Sequence, residues 1–538
     1  MGLAQAQAIV SSAKDATQTI NTPLGQIKGY LRHGAIEFRG IPYAEPPTGE
    51  RRWTQATPAR SWGGALAARE FKPACAQERR YGITDASNTE DCLYLNVSLP
   101  ARDSWPANEK PDSQPLPVIV WIHGGALVGG SSAQYRLDRL ATGTEAAVVS
   151  VNYRLGVFGF LSHPSLDPDL NGSFGLQDVR LALRWVKDNI ASFGADPTNV
   201  TVMGESAGAL LICNLLATPD ESTGLFEKAV ILSANCLYQL EHLDTGNAIG
   251  LDIAKTVGCA DPKTALECLR QKDTQVLLKA GQRPGFHPIP LPPVIGTARL
   301  PEKAGSAFKN SDFVRVPMII GNTRDELRLY IGYEAQAGHT VTLDNYDAGL
   351  RRFYGDHATA VKQAYPPQSY SSPGAALGSA VSSFTPGFPV NQCLSVETAK
   401  LAARQTPVYL LDFADRTTPK RGVLIPAEPD PGLELGASHS SVLSYLFPGF
   451  SSTRETTPGE LSAGSQASAD ALVSYLRAFV RQGDPNTKGL AQWPPVGNHT
   501  TGLRFDHEGI RPIDPDQTYQ CEFWRGLYAD EFKKLTQP

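Results

Sequence analysis

The feature that most constrains this chain is the pentapeptide Gly204-Glu205-Ser206-Ala207-Gly208. It lies between a β-branched apolar run, residues 199–203, and a helical segment over residues 207–216. A strand that turns at once into a helix holds its central residue in a strained conformation. Glycines at the flanks remove the Cβ atoms that would collide with neighbouring chains. The first N–H groups of the helix have no intrahelical partner and face whatever negative charge forms beside Ser206. The placement marks Ser206 as a candidate nucleophile at the carboxyl edge of a sheet.

The surrounding pattern supplies the sheet. Residues 116–123, 146–153 and 226–233 read as short, buried strands, with further strands at 316–321 and 407–413. Helical periodicity separates them, as in residues 176–193, where Val179, Leu183, Val186 and Ile190 recur at three- and four-residue steps. Such alternation predicts an α/β fold with a large, mostly parallel central sheet flanked by helices. Residues 325–403, helix-like and broken by prolines, read as a helical cap insertion. Residues 1–18 are taken as a linker, signal remnant and N-terminal arm, and residues 19–538 as a single catalytic domain.

A serine that attacks a carbonyl needs donors for the resulting oxyanion. His123-Gly124-Gly125-Ala126 follows the strand at 116–123, and its paired glycines free the backbone to direct N–H groups inward. The base must be a histidine that comes after an acid in chain order. Of ten histidines, His33, His123, His163, His242 and His287 precede any suitable acid loop. His339 and His357 fall in the insertion, and His499 and His507 in polar tail segments. His439, in the small-residue loop Gly436-Ala437-Ser438-His439-Ser440-Ser441, follows the strand at 407–413. For the acid, Gly321-Asn322-Thr323-Arg324-Asp325-Glu326 leaves the strand at 316–321, and either Asp325 or Glu326 could orient the imidazole.

Other classes are disfavoured. A net charge of −5 provides no basic field for nucleic acid. No run approaches the ~18 apolar residues of a membrane span, so stable membrane insertion is not expected. The eight cysteines contain no C-x-x-C pair and lie beside no histidine cluster, so no metal site is expected. Cys75 with Cys92, and Cys259 with Cys268, are spaced to close local bridges; buried thiols are the alternative. Residues 1–8 (MGLAQAQA) look like a start residue joined to the tail of a secretory signal, so a secreted or periplasmic protein is expected. The apolar helix at 469–480 fits either the core or a dimer face, which leaves the choice between monomer and homodimer open.

From about residue 20 to about residue 528 the chain resembles type-B carboxylesterases, the cholinesterase-like branch of the α/β-hydrolases. The resemblance rests on residues 38–49 (FRGIPYAEPPTG), 90–97 (EDCLYLNV), 150–161 (SVNYRLGVFGFL), the GESAG turn, and Gly483-Asp484-Pro485-Asn486 followed by Trp493-Pro494. It implies an α/β-hydrolase fold and hydrolysis of a small-molecule carboxylic ester through an acyl-enzyme, with no cofactor. It implies Ser206 as nucleophile, Glu326 rather than Asp325 as acid and His439 as base. The oxyanion would be held by the N–H groups of Gly125, Ala126 and Ala207. Glu205, Tyr238, His287 and Ile289 would surround the substrate, the last two on the acyl side. Disulfides Cys75–Cys92, Cys259–Cys268 and Cys393–Cys521 are implied, leaving Cys213 and Cys236 free, with a fourth bridge between them as the alternative. Arg52 with Glu90, and Arg154 with Asp178, would form structural ion pairs.

Two departures narrow the activity. Cholinesterases carry a choline-binding tryptophan in the loop of the first disulfide, whereas residues 76–91 hold Tyr81 as their only aromatic. That loop is also short and carries Arg79-Arg80, unlike the apolar flap of the related fungal lipases, so activation at a lipid surface is not expected. A lipase, or a polyester or toxin-ester hydrolase, remains the alternative within the family. A catalytically inactive, cholinesterase-like binding protein is the alternative outside enzymes.

Overall fold

A computed structural model describes residues 17–79, 86–101, 114–238, 240–282, 289–419, 432–450, 459–497 and 500–537. Among these residues thirteen strands form one sheet. An antiparallel meander, β1 (Thr17–Thr22), β2 (Gly25–Arg32) and β3 (Ala35–Pro42), begins it, and β4 (Ala65–Ala67) pairs with β2. β5 (Tyr94–Pro100) joins β3 to the centre. The centre consists of β6 (Leu116–Ile122), β7 (Ala147–Val151), β8 (Ala195–Glu205), β9 (Lys228–Leu232), β10 (Met318–Thr323), β11 (Val408–Phe413) and β12 (Gly502–Asp506). These run parallel in the spatial order β7-β6-β8-β9-β10-β11-β12, and β13 (Gly509–Ile513) closes the far edge antiparallel. The expected parallel sheet is thus the middle of a larger mixed one.

The central strands are apolar because both faces are covered. Along β6 every residue is buried, and the side chains divide by the two-residue period of a strand. Val118, Val120 and Ile122 enter one apolar layer, while Ile119 and Trp121 enter the other. The helix Phe174–Asn189 covers one face, and its buried Asp178 pairs with Arg154 through hydrogen bonds of 2.8 and 2.7 Å. Arg52 pairs with Glu90 as well, with Nε 2.8 Å from the carboxylate. The helix Ala463–Gln482, which contains the apolar stretch at 469–480, packs against β6, β8 and β12. Its Leu472, Leu476 and Phe479 are buried, so this face belongs to the core.

Between β10 and β11 stand the helices Arg328–Gln336, Tyr346–Tyr354, Ala358–Ala364, Pro373–Ser383 and Gln392–Ala403. The last packs on β10 and β11 as their crossover helix. All eight cysteines are paired, as Cys75–Cys92, Cys213–Cys236, Cys259–Cys268 and Cys393–Cys521. The Cys213–Cys236 bridge corrects the expectation of two free thiols. Adjacent β–α units bring Cα atoms 23 residues apart in sequence to 5.1 Å, a proximity that spacing does not encode. Among the described residues no helix is long and apolar enough to cross a membrane.

Candidate active site

β8 ends at Glu205 and a helix begins at Ala207, so Ser206 is the single residue in which the chain reverses from strand to helix. It takes φ 56°, ψ −125°, a left-handed conformation costly for a residue with a Cβ. Its N–H donates to the Leu232 carbonyl at 2.9 Å and its carbonyl accepts from Leu210 N–H at 3.0 Å. The strain is therefore held from both sides, by β9 and by the helix. Gly208 explains how the helix sits so close to β6: a Cβ there would lie 2.1 Å from the Ile122 carbonyl oxygen.

Past β6 the chain enters the glycine loop. Gly125 takes φ 116°, and Ala126 and Leu127 follow at 53° and 61°. The Gly125 carbonyl accepts from both Val128 and Gly129 N–H at 3.0 Å, which curls the loop tightly. His123 forms its base. Its Nδ1–H donates to the Gly124 carbonyl at 2.8 Å and its ring stacks on Tyr153 with centroids 4.5 Å apart. Burial lowers the His123 pKa to about 4, so it is a neutral wall rather than a proton carrier.

The acid loop leaves β10 at Thr323. Glu326 is fully buried; its Oε1 accepts from Thr323 N–H at 2.7 Å and its Oε2 from His439 Nδ1–H at 2.6 Å. His439 N–H donates to the Glu326 carbonyl at 3.1 Å, and Nε2 lies 2.9 Å from Ser206 Oγ. Of the two neighbouring carboxylates, Glu326 is the one that meets the imidazole. Asp325 accepts two hydrogen bonds of 3.0 Å from Arg416 and one of 3.0 Å from Ala437 N–H, which ties down the histidine loop without touching the ring.

Burial by itself would push the His439 imidazole down, but the carboxylates of Glu205 and Glu326 outweigh it and raise the pKa to about 9. Glu205, pushed up by burial and opposed by His439, approaches Nε2 at 3.4 Å and accepts the Ser440 hydroxyl at 2.7 Å. A cavity with about 570 Å³ of empty space, open to solvent, brings together Gly124, Gly125, Ala126, Glu205, Ser206, His439 and Ser440. Tyr135, Leu329, Tyr330, Tyr333, Leu443 and Phe450 form its apolar wall. Ala207 is buried as the first residue of the helix after Ser206.

Two of the remaining expected substrate contacts lie elsewhere. Tyr238 and Ile289 line a second, smaller cavity with Leu127, Leu210 and the Cys213–Cys236 bridge, so they are not on the wall over Ser206. His287, Arg80 and Tyr81 lie outside the described residues. The aromatic wall was not anticipated. Tyr330 and Tyr333, three residues apart on the helix that begins directly after the acid loop, offered a helical-spacing signal for it; Tyr135 and Phe450, from distant segments, offered none. Among the described residues no group of three or more His, Cys, Asp or Glu side chains is placed to hold a metal ion.

The sheet order and the match to solved esterases define the α/β-hydrolase fold, and the family match makes the chain a carboxylic-ester hydrolase. The chain belongs to the carboxylesterase family, whose model matches residues 16–524. It is 30% identical over 504 residues to a fumonisin B1 esterase of Sphingopyxis macrogoltabida, covering 90% of this chain and 86% of that one. It is likewise 30% identical over 518 residues to the para-nitrobenzyl esterase of Bacillus subtilis, covering 93% and 97%. A solved PNB esterase superposes with a TM-score of 0.74 at 28% identity, over 95% of this chain and 100% of that one.

Proposed function

We propose that the chain is a serine carboxylesterase that works through an acyl-enzyme, with Ser206, His439 and Glu326 as its triad. The observation that carries this reading is the continuous relay from Ser206 Oγ through His439 Nε2 and Nδ1 to Glu326 Oε2, at 2.9 and 2.6 Å. Ser206 Oγ attacks the ester carbonyl carbon while its proton passes to Nε2. The N–H groups of Gly125, Ala126 and Ala207 receive the oxyanion. The imidazolium protonates the leaving alcohol, and a water deprotonated by the same nitrogen then cleaves the acyl-serine, releasing acid and restoring the enzyme.

The described lining contains one carboxylate, Glu205, and no lysine or arginine. The proposed substrates are accordingly uncharged esters with an apolar or aromatic group to set against Tyr330, Tyr333 and Phe450. The helices following Glu326 are proposed to act as a cap on a single catalytic domain, and the four disulfides support an exported protein. The test is labelling with a fluorophosphonate, followed by peptide mapping. The adduct is expected on Ser206 and nowhere else, and an unlabelled Ser206 would refute the triad.

Glu326→Gln should lower kcat by about 10³- to 10⁴-fold with little change in KM, because the imidazole loses the carboxylate on Nδ1 that fixes its tautomer and stabilises its charged form. Asp325→Asn should instead lower Tm while keeping kcat within about tenfold, since it breaks a buried ion pair outside the relay. The reverse pattern would assign the acid to Asp325. As for pH, kcat/KM requires neutral His439, so activity should fall as pH drops through a limb lying above 6.5 and toward about 9. The same shift contributes stability that is full below the unfolded-state value of about 6.5 and is lost as pH rises through about 9. A limb at or below 6.5 in a kcat/KM profile would contradict the paired-carboxylate environment.

A further inference from the structure

Ser440 follows the base in the chain and takes φ 67°, a conformation that glycine adopts at less cost. Its hydroxyl donates to Glu205 Oε1 at 2.7 Å, and Glu205 Oε1 stands 3.4 Å from His439 Nε2. The imidazole thus lies between two buried carboxylates. Glu326 is fixed on Nδ1 by two donors, Thr323 N–H and the imidazole itself. Glu205 stands on the opposite side, where the proton of Ser206 must travel. Tyr135 and Tyr153 also face Glu205, and burial keeps both phenols protonated. Glu326 and the Tyr330 ring face His439 from the acid loop and the helix after it, the ring centroids lying 5.8 Å apart.

A buried carboxylate here has two ways to fail. Without a donor of its own it takes up a proton and loses its charge. Unrestrained, it competes with Ser206 Oγ for Nε2–H. The Ser440 hydroxyl occupies Oε1 and answers both: it stabilises the charged form, and it leaves the short 2.9 Å contact of Nε2 to Ser206. A strained residue that persists beside a reacting group is the kind of position where the side chain has a task. We propose that Ser440 is a positioning residue for ester hydrolysis: its hydroxyl keeps the Glu205 carboxylate charged and held back beside His439, so that the forming imidazolium meets a fixed negative charge rather than a competing proton acceptor. Glu205, expected from sequence to contact substrate, thereby acts on the base. The proposal rests on the triad reading given above.

The test is Ser440→Gly in the full chain, alone and combined with Glu205→Gln. kcat and kcat/KM for a short p-nitrophenyl ester are measured across pH, with Tm beside them. Glycine accepts φ 67° freely, so Tm should not fall. kcat should drop about three- to tenfold with KM unchanged. The acid limb should move down by about half a pH unit or more, because Glu205 then takes up a proton and no longer supports the charge on His439. In the Glu205→Gln background the serine substitution should change neither quantity. An unmoved or raised acid limb in Ser440→Gly overturns the proposal, as does an equal effect in both backgrounds. Fluorophosphonate labelling of the unsubstituted enzyme separates the two readings. An unlabelled Ser206 removes the triad itself, whereas normal labelling with a silent Ser440→Gly removes only the role of Ser440.

Discussion

Ser206→Ala is expected to lower the hydrolysis of short p-nitrophenyl esters by about 10⁴- to 10⁶-fold while leaving the fold intact. Its Oγ is the proposed nucleophile that bonds to the acyl carbon, and its side-chain hydrogen bond is the 2.9 Å contact to His439 Nε2. Alanine retains the Cβ, so the strained φ of 56° is no worse than in the native chain, and the backbone bonds to Leu232 and Leu210 survive. The expected signature is an unchanged Tm with lost turnover. Residual hydrolysis above background would come from the oxyanion donors, which act on the carbonyl whichever nucleophile attacks it. Turnover within tenfold of the native enzyme would mean that another group attacks the ester.

Gly208→Ala should also be damaging, through position rather than chemistry. The added Cβ would stand 2.1 Å from the Ile122 carbonyl oxygen and 2.7 Å from that of His123. Both neighbours are backbone at the end of β6, so the helix must retreat. That retreat carries Ser206 and the Ala207 N–H away from Gly125 and Ala126. A displacement of about 1 Å at such a site costs about 10²-fold in rate, and the overpacking costs about 1–3 kcal/mol of stability. Gly526→Ala serves as the control. Gly526 lies in the helix Cys521–Leu527 with open space where a Cβ would go. There the substitution should leave activity unchanged and raise stability by about 0.4–1 kcal/mol. Equal losses in the two variants would show that generic glycine loss, not the approach to β6, is responsible.

Much of the site is readable from local patterns because its parts are local. Ser206 is marked by the strand-to-helix change around two glycines, and the loop after β6 by its paired glycines. His439 follows from chain order. The relation between Asp325 and Glu326 is not readable in this way. The two are adjacent, equally acidic and leave the same strand, and only the direction in which each side chain departs sends one to Arg416 and the other to His439. The aromatic wall has the same origin: Tyr135, Tyr330 and Phe450 come from three separate segments. The edge strands β1, β2 and β13 are not legible in the sequence, because these half-exposed strands lack the continuous apolar runs that mark β6 or β7.

By itself, then, the sequence determined the α/β layering, the turn that bears Ser206, the glycine loop and the histidine that completes the order. These depend on periodicity and on steric demands within a few residues of each feature. Only the tertiary structure decided which carboxylate reaches His439, that Cys213 meets Cys236, that the helix Ala463–Gln482 is core, and that the Ser440 hydroxyl meets Glu205 beside His439. Each of these depends on a distance between atoms remote in the chain or on the direction of one side chain, and neither is set until the sheet has assembled and its layers have closed.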